Sequence, residues 1–251
     1  MLIWWIILFS ALGSIGATGG AALMLLFPDS VRRILVPCLI SYATGTLLGA
    51  AFLGMIPASL EQAAAMAVTG TVLAGMVLFF VLEKLVLWRH CHMKECEVHG
   101  TAAPLILIGD AFHNFVDGVV IAAAFLVSFR LGIAAALAVI AHEVPQEVGD
   151  FAILLAGGYG RVKALVLNGL SASATLPGAV VAYFWLAETR AAMPYILAIS
   201  AASFIYIATA DLIPGLHEHA TPAAAFSQVV LLLAGIGTIA AFHLDHFHFG
   251  H

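Results

Sequence analysis

Eight stretches of this chain are each long and apolar enough to cross a lipid bilayer, and that feature excludes most folds. A span needs roughly 20 mainly apolar residues, and such stretches run near 2–27, 34–57, 66–88, 104–129, 131–157, 162–187, 193–213 and 224–243 of the 251 residues. In hydrocarbon every backbone N–H and C=O must find its partner inside the protein, which for runs of this length means α-helices. Composition agrees, since 63% of the residues are hydrophobic and 9% charged, against about 25% charged in a soluble domain. The expected fold is an all-α polytopic membrane protein, one transmembrane domain over 1–251 with a His/Cys loop at 89–103.

The first stretch lacks a basic start and exceeds the roughly 7–15 apolar residues of a signal-peptide core, so it reads as a span. Its Gly13, Gly16 and Gly20 suit close helix packing. Orientation follows from the nine basic residues. With the N-terminus outside, Arg32, Arg33, Lys84, Arg89, Lys94, Arg161 and Lys163 face the cytosol and only Arg130 and Arg190 face out. That bias predicts both termini on the extracytoplasmic side of a cell (inner) membrane. Cys38, Cys91 and Cys96 then lie near the reducing side, and no structural disulfide is expected. The net charge of -5 comes largely from acids inside the spans, and with no basic patch nucleic acid is not an expected partner.

The second span ends Met55-Ile56-Pro57-Ala58-Ser59-Leu60-Glu61 and the seventh ends Leu212-Ile213-Pro214-Gly215-Leu216-His217-Glu218. Both read apolar-Ile-Pro-x-x-x-Glu on helices that cross in opposite senses, as inverted repeats of transporters do. Chance similarity is the other reading. A true repeat makes spans 1–3 and 6–8 pseudo-symmetric halves around spans 4 and 5.

Spans 4 and 5 carry the chemistry. In span 4, Asp110, His113, Asn114 and Asp117 recur at i, i+3, i+4 and i+7, which places them on one helical face. In span 5, His142 stacks with Gln146, and Glu143 with Glu147 and Asp150. A charged side chain at mid-bilayer costs roughly 2.5–3.5 kcal/mol even on the lenient insertion scale, and between Lys94 and Arg161 the only basic side chain is Arg130. Protons or a bound cation must compensate these acids. Imidazole beside carboxylate is the donor set that Zn2+ prefers over Na+ or Ca2+. Pro145, inside span 5, removes one N–H and frees a carbonyl, and broken helices at membrane depth line transport sites. The alternative is a polar packing seam in which His and Asn only link helices.

These residues resemble the Zrt-/Irt-like protein family, usually called ZIP. His113-Asn114-x-x-Asp117-Gly118 is similar to HNxxDG, and His142-Glu143-x-Pro145-Gln146-Glu147-x-Gly149-Asp150 to the HExPHExGD of one large subfamily. Supporting matches are Gly45-x-x-x-Gly49, Asn168-x-x-Ser171 and Phe204-x-Tyr206-x-Ala208-x-x-Asp211-x-x-Pro214. The resemblance implies eight spans with both termini outside the cytosol, uptake of a divalent metal, and rocking or elevator-like movement of a unit containing spans 4 and 5. It implies a first metal position at His113, Asp117, His142, Glu143 and Gln146, with Glu147 adjoining. A second position would involve Asn114, shared acids and the region of Asn168, with Asp110, Asp150, Asp211 and Met55 as further candidates. Three positions depart from the pattern: Gln146 stands for the second His, Ala50 and Gly54 stand where Asp and His are frequent, and Asn168 replaces a carboxylate.

His90, Cys91, His92, Cys96 and His99 concentrate soft ligands on the expected cytoplasmic side, as an accessory metal loop or an ordinary polar one. The tail histidines His243, His246, His248 and His251 gather metal or merely mark a solvated end. The expected function is transport of a divalent metal, Zn2+ before Cd2+, Fe2+ or Mn2+, into the cytosol, with the ion as substrate and no cofactor required. Expected partners are the metal, the lipid bilayer and a second copy in a homodimer. Two other classes compete. A proton-coupled transporter of another solute would also use buried acids. An intramembrane zinc metalloprotease would use His142-Glu143 as the start of HExxH, but Gln146 fills the second His position, and no enzyme is expected.

Overall fold

A computed structural model describes residues 1–91, 102–217 and 221–242, with side chains placed for 1–85, 106–217 and 221–242. All regular structure among the described residues is helical. Eight helices are long and apolar enough to cross a membrane: α1 (Leu2–Met24), α2 (Asp29–Leu60), α3 (Ala65–Leu85), α4 (Ile106–Val127), α5 (Phe129–Ala156), α6 (Arg161–Glu188), α7 (Arg190–His217) and α8 (Pro222–Ala241).

Several boundaries differ from the apolar runs for identifiable reasons. Helix α2 begins at Asp29, directly after Pro28, whose extended backbone ends the preceding turn. Helix α5 begins at Phe129 because the Ser128 hydroxyl accepts the free Leu131 N–H at 3.1 Å, so Arg130 lies in the first helical turn rather than in a loop. The α5–α6 connection turns on Gly158, whose φ of +83° suits a residue without a β-carbon.

Neither Pro57 nor Pro214 ends its helix. Each follows a wide π segment, Ala50–Met55 in α2 and Ile207–Leu212 in α7. The Ile56 N–H reaches the Ala51 carbonyl and the Ile213 N–H the Ala208 carbonyl, both five residues back. The next residue is a proline with no N–H to continue either register. The sequence repeat therefore has a backbone counterpart at matching places. Packing follows the same exchange of halves: α2 pairs with α8 as α3 pairs with α7, and α4 pairs with α6 as α5 pairs with α1.

Helices α4, α5 and α7 form the interior of the bundle. Of the residues in their most apolar windows 56%, 61% and 56% are buried, against 11% in α3 and in α8. Runs of alanine, Ala122–Ala124 in α4 and Ala134–Ala136 in α5, are fully buried and let helices approach closely. Glycine does this at two tighter seams. A β-carbon at Gly118 of α4 would strike the Thr175 carbonyl of α6, and one at Gly178 the Phe115 carbonyl; Gly45 of α2 and Gly235 of α8 are matched in the same way.

Gly118→Ala must push α4 from α6 and is expected to lower stability by about 1–3 kcal/mol. Gly70→Ala, where a β-carbon meets nothing within 4 Å, should stay within about 0.5 kcal/mol of the parent. Thermal unfolding of both variants in one detergent checks the pair; equal melting temperatures would contradict the seam.

Candidate metal centre

Helical spacing puts His113 and Asp117 one turn apart on α4, and His142 and Glu143 adjacent on α5. The antiparallel α4–α5 pair brings all four to one point. The two imidazole Nε2 atoms are 3.2 Å apart. His113 Nε2 lies 3.5 Å from Asp117 Oδ2 and 3.2 Å from Glu143 Oε1. His142 Nε2 lies 3.2 Å and 3.4 Å from the same two oxygens. Metal–ligand bonds of about 2.0–2.2 Å in a tetrahedron place neighbouring donors roughly 3.3–3.5 Å apart. The five distances match five of the six edges of such a tetrahedron, a common spacing that ordinary side-chain packing does not require, and the group could hold a metal ion.

The orientation of His142 is set by its backbone. Its Nδ1 is 2.9 Å from the Ala138 carbonyl, which can only accept. Nδ1 therefore carries the proton, and the Nε2 lone pair points into the cage, an arrangement that fixes tautomer and direction in metal-binding histidines. Phe204 of α7 meets the His142 ring edge-on at 6.2 Å between centroids and closes the apolar side. Asp117, His142 and Glu143 have no exposed surface, whereas the His113 side chain keeps 21%, so His113 marks the accessible face. Both oxygens of Asp117 and both of Glu143 are buried without a hydrogen-bond donor, which is costly unless a cation faces them.

A second group adjoins the first through Glu143. Asp110, Glu143 and Glu147 are all buried and offer carboxylate oxygens within 4.8 Å of one another. Asp110 Oδ1 accepts from the Asn114 amide at 3.0 Å and from the Gln146 amide at 3.2 Å, while its Oδ2 lacks a donor. Glu147 accepts a short hydrogen bond from the Asn168 amide, and its other oxygen also lacks one.

The residues expected from sequence therefore separate by where the fold puts them. His113, Asp117, His142 and Glu143 converge. Asn114 and Gln146 direct their amide N–H groups to Asp110 rather than to the imidazoles, and the Asn114 oxygen accepts from Thr175 at 3.0 Å. Asn168 sits on Glu147, and Asp150 is half-buried beside Asp110 without belonging to either group of converging donors. Met55 lies fully buried in the apolar core and Asp211 is exposed in the π segment of α7, and neither belongs to the cage. His90 and Cys91 end the helix that continues from α3, without described side chains, and His92, Cys96, His99 and the tail histidines lie outside the described residues.

Thr175 is absent from the expected residues, although Asn168, Ser171 and Thr175 recur at i, i+3 and i+7 along α6, across a turn at 173–174. The Ala138 carbonyl leaves no side-chain signal in the sequence, and neither does the short hydrogen bond from the Tyr206 hydroxyl to Glu83 that ties α7 to α3.

Comparison with known proteins accords with this geometry. The model of the family described as ZIP Zinc transporter matches residues 89–243. Zinc transporter ZIP13 of Pongo abelii is 34% identical over 82% of this chain and 66% of its own length. Zinc transporter zipt-7.2 of Caenorhabditis elegans is 30% identical over 80% of the chain and 57% of its own length. Zinc transporter ZIP4 of Homo sapiens is 41% identical over 45% of the chain and 17% of its own length. The chain thus spans just under two thirds, or less, of the first two relatives. With a family model covering more than half of it, including both motif helices, this multi-pass membrane protein belongs to the ZIP zinc transporter family.

Proposed function

We propose that this chain carries a divalent metal, Zn2+ foremost, across the membrane through the cage of His113, Asp117, His142 and Glu143. The observation that carries the reading is the common spacing of 3.2–3.5 Å among donors from two helices. Two ionised carboxylates and two neutral imidazoles sum to a charge that one divalent ion cancels, and nitrogen beside oxygen suits a borderline ion better than Ca2+ or Mg2+. The relatives' printed name, zinc transporter, supports the same substrate.

A path follows from the two groups. The hydrated ion meets His113, exchanges water for the four donors, and passes along Glu143 to Asp110 and Glu147. These two lie toward the start of α4 and the end of α5, the end of the bundle that also carries Arg161 and Lys163. The excess of Lys and Arg there assigns it to the cytosol, so the acids descend in the direction of uptake, with both termini extracytoplasmic in a cell membrane. The protein works as a homodimer, with α3 and α8, the least buried helices, available to a second copy. Hydrolysis is disfavoured because Gln146 is engaged by Asp110 rather than supplying the second ligand of HExxH, and Glu143 is itself a donor rather than a base held beside the ion. A proton-coupled carrier of another solute would not require the matched cage.

Proteoliposomes loaded with a metal-sensitive dye are expected to take up Zn2+, and to a lesser degree Cd2+, Fe2+ or Mn2+. His113→Ala and Glu143→Ala should each reduce Zn2+ flux by about 100-fold or more, as loss of one ligand costs several kcal/mol of binding. Unchanged flux in both variants would refute the cage.

Equilibrium binding gives a separate check. At Zn2+ about 100 times its dissociation constant, the folded state should gain roughly 2.7 kcal/mol, read as a higher melting temperature. His142→Ala should abolish that gain, whereas Asp110→Asn should keep it while slowing flux, because Asp110 serves the second group.

A further inference from the structure

At the end of the bundle carrying Arg32, Arg33, Arg161 and Lys163, helices α1, α5 and α6 enclose an open groove of about 590 Å3, within the roughly 300–1,000 Å3 of sites that hold small organic ligands. Its walls are apolar and come from three helices, with Leu23 on α1, Phe151 and Leu155 on α5, and Leu165 on α6. Two guanidiniums, Arg32 and Arg161, complete the lining. Leu23 and Leu165 are 58% and 38% exposed, so the groove opens sideways where lipid lies. Arg32 donates to Asp29, but a guanidinium has five N–H donors and keeps others. The metal route does not explain this groove, because its lining offers neither imidazole nor carboxylate and Arg161 places a fixed positive charge there beside Arg32, which is ion-paired with Asp29.

We propose that the groove binds one anionic phospholipid, its phosphate between Arg32 and Arg161 and an acyl chain along Leu23, Phe151, Leu155 and Leu165. Charge complementarity selects the occupant. A zwitterionic lipid offers a trimethylammonium that the arginines oppose, and a soluble phosphate leaves the apolar walls facing water. Arginine also matches phosphate with paired N–H donors. Basic pockets between helices on the cytoplasmic side are the places where anionic headgroups collect. The bound lipid would join α1, α5 and α6 to the start of α2, which carries Arg32, at the end that the acidic groups descend toward.

The test is native mass spectrometry of the full chain in detergent, titrated with phosphatidylglycerol or phosphatidylcholine of equal acyl length. One phosphatidylglycerol per chain should be retained, with phosphatidylcholine held at least about tenfold more weakly. Arg161→Gln and Arg32→Gln should each cut retention about fivefold, the fold-change equivalent of about 1 kcal/mol per basic residue near the surface. Arg33→Gln and Arg190→Gln, which do not line the groove, should leave it unchanged. Gly19→Leu supplies a variant that keeps both charges: Gly19 lines the groove and a β-carbon there meets nothing within 4 Å, so the added side chain should displace lipid without disturbing the fold. Equal retention of the two lipids, or retention unaffected by both Arg161→Gln and Gly19→Leu, would overturn the site. Full competition by water-soluble glycerol phosphate would also overturn it, since the acyl chain would then contribute nothing. Zn2+ binding in these variants, expected unchanged, keeps the outcome separate from the metal cage.

Discussion

Two carboxylates without exposed surface, held against two imidazoles between a pair of membrane helices, set the terms for the rest of this molecule. Buried charge is tolerated only when it is compensated and when its surroundings hold it in place. The neutral imidazoles bring lone pairs rather than positive charge, so a cation held among the four donors is what compensates these acids. Asp117 and Glu143 face the two Nε2 atoms, and the Ala138 carbonyl keeps the His142 lone pair aimed inward. The bundle can then be understood by what each helix contributes to that centre. Helices α4 and α5 supply the donors, α6 approaches α4 through Gly118 and Gly178 to place Thr175 on Asn114, and α7, as buried as α4, presents Phe204.

The second layer of polar side chains gives the centre its asymmetry. Asn114 and Gln146 turn toward Asp110, and Asn168 turns toward Glu147. These amides donate N–H to carboxylates and leave the four imidazole and carboxylate donors to themselves. An amide oxygen is a poorer donor to Zn2+ than an imidazole, so the replacement of His by Gln at 146 changes a side chain that in this arrangement orients an acid. The paired π segments in α2 and α7 instead follow the pseudo-symmetry. They widen the backbone just before a proline on each side of the pseudo-symmetric bundle, and wide turns of this kind recur at functional places in helices.

Much of the architecture was legible because its signals are local. Hydropathy over about 20 residues marks a span regardless of its neighbours, and the spacing of His113 and Asp117 defines a helical face before any partner is known. The Ile-Pro match between the second and seventh spans pointed to halves that the π segments then displayed in the backbone. Exact helix ends were less legible, since Ser128 acts through a hydroxyl-to-backbone bond that hydropathy does not register. Asp110 was legible only as a further candidate for the second position, because its burial depends on how α4 packs, and it is 5% exposed and accepts from both Asn114 and Gln146.

By itself the sequence determined that the chain is a bundle of eight membrane helices whose fourth and fifth carry acids and histidines on facing stripes, because apolar length and helical period are properties of single segments. Only the tertiary structure decided which of those polar groups share a point in space. The relative rotation and height of α4 and α5 selected His113, Asp117, His142 and Glu143 for the cage and sent Asn114 and Gln146 to Asp110. That choice depends on packing between helices, where a glycine at 118 and a backbone carbonyl at 138 weigh as much as the ligands themselves.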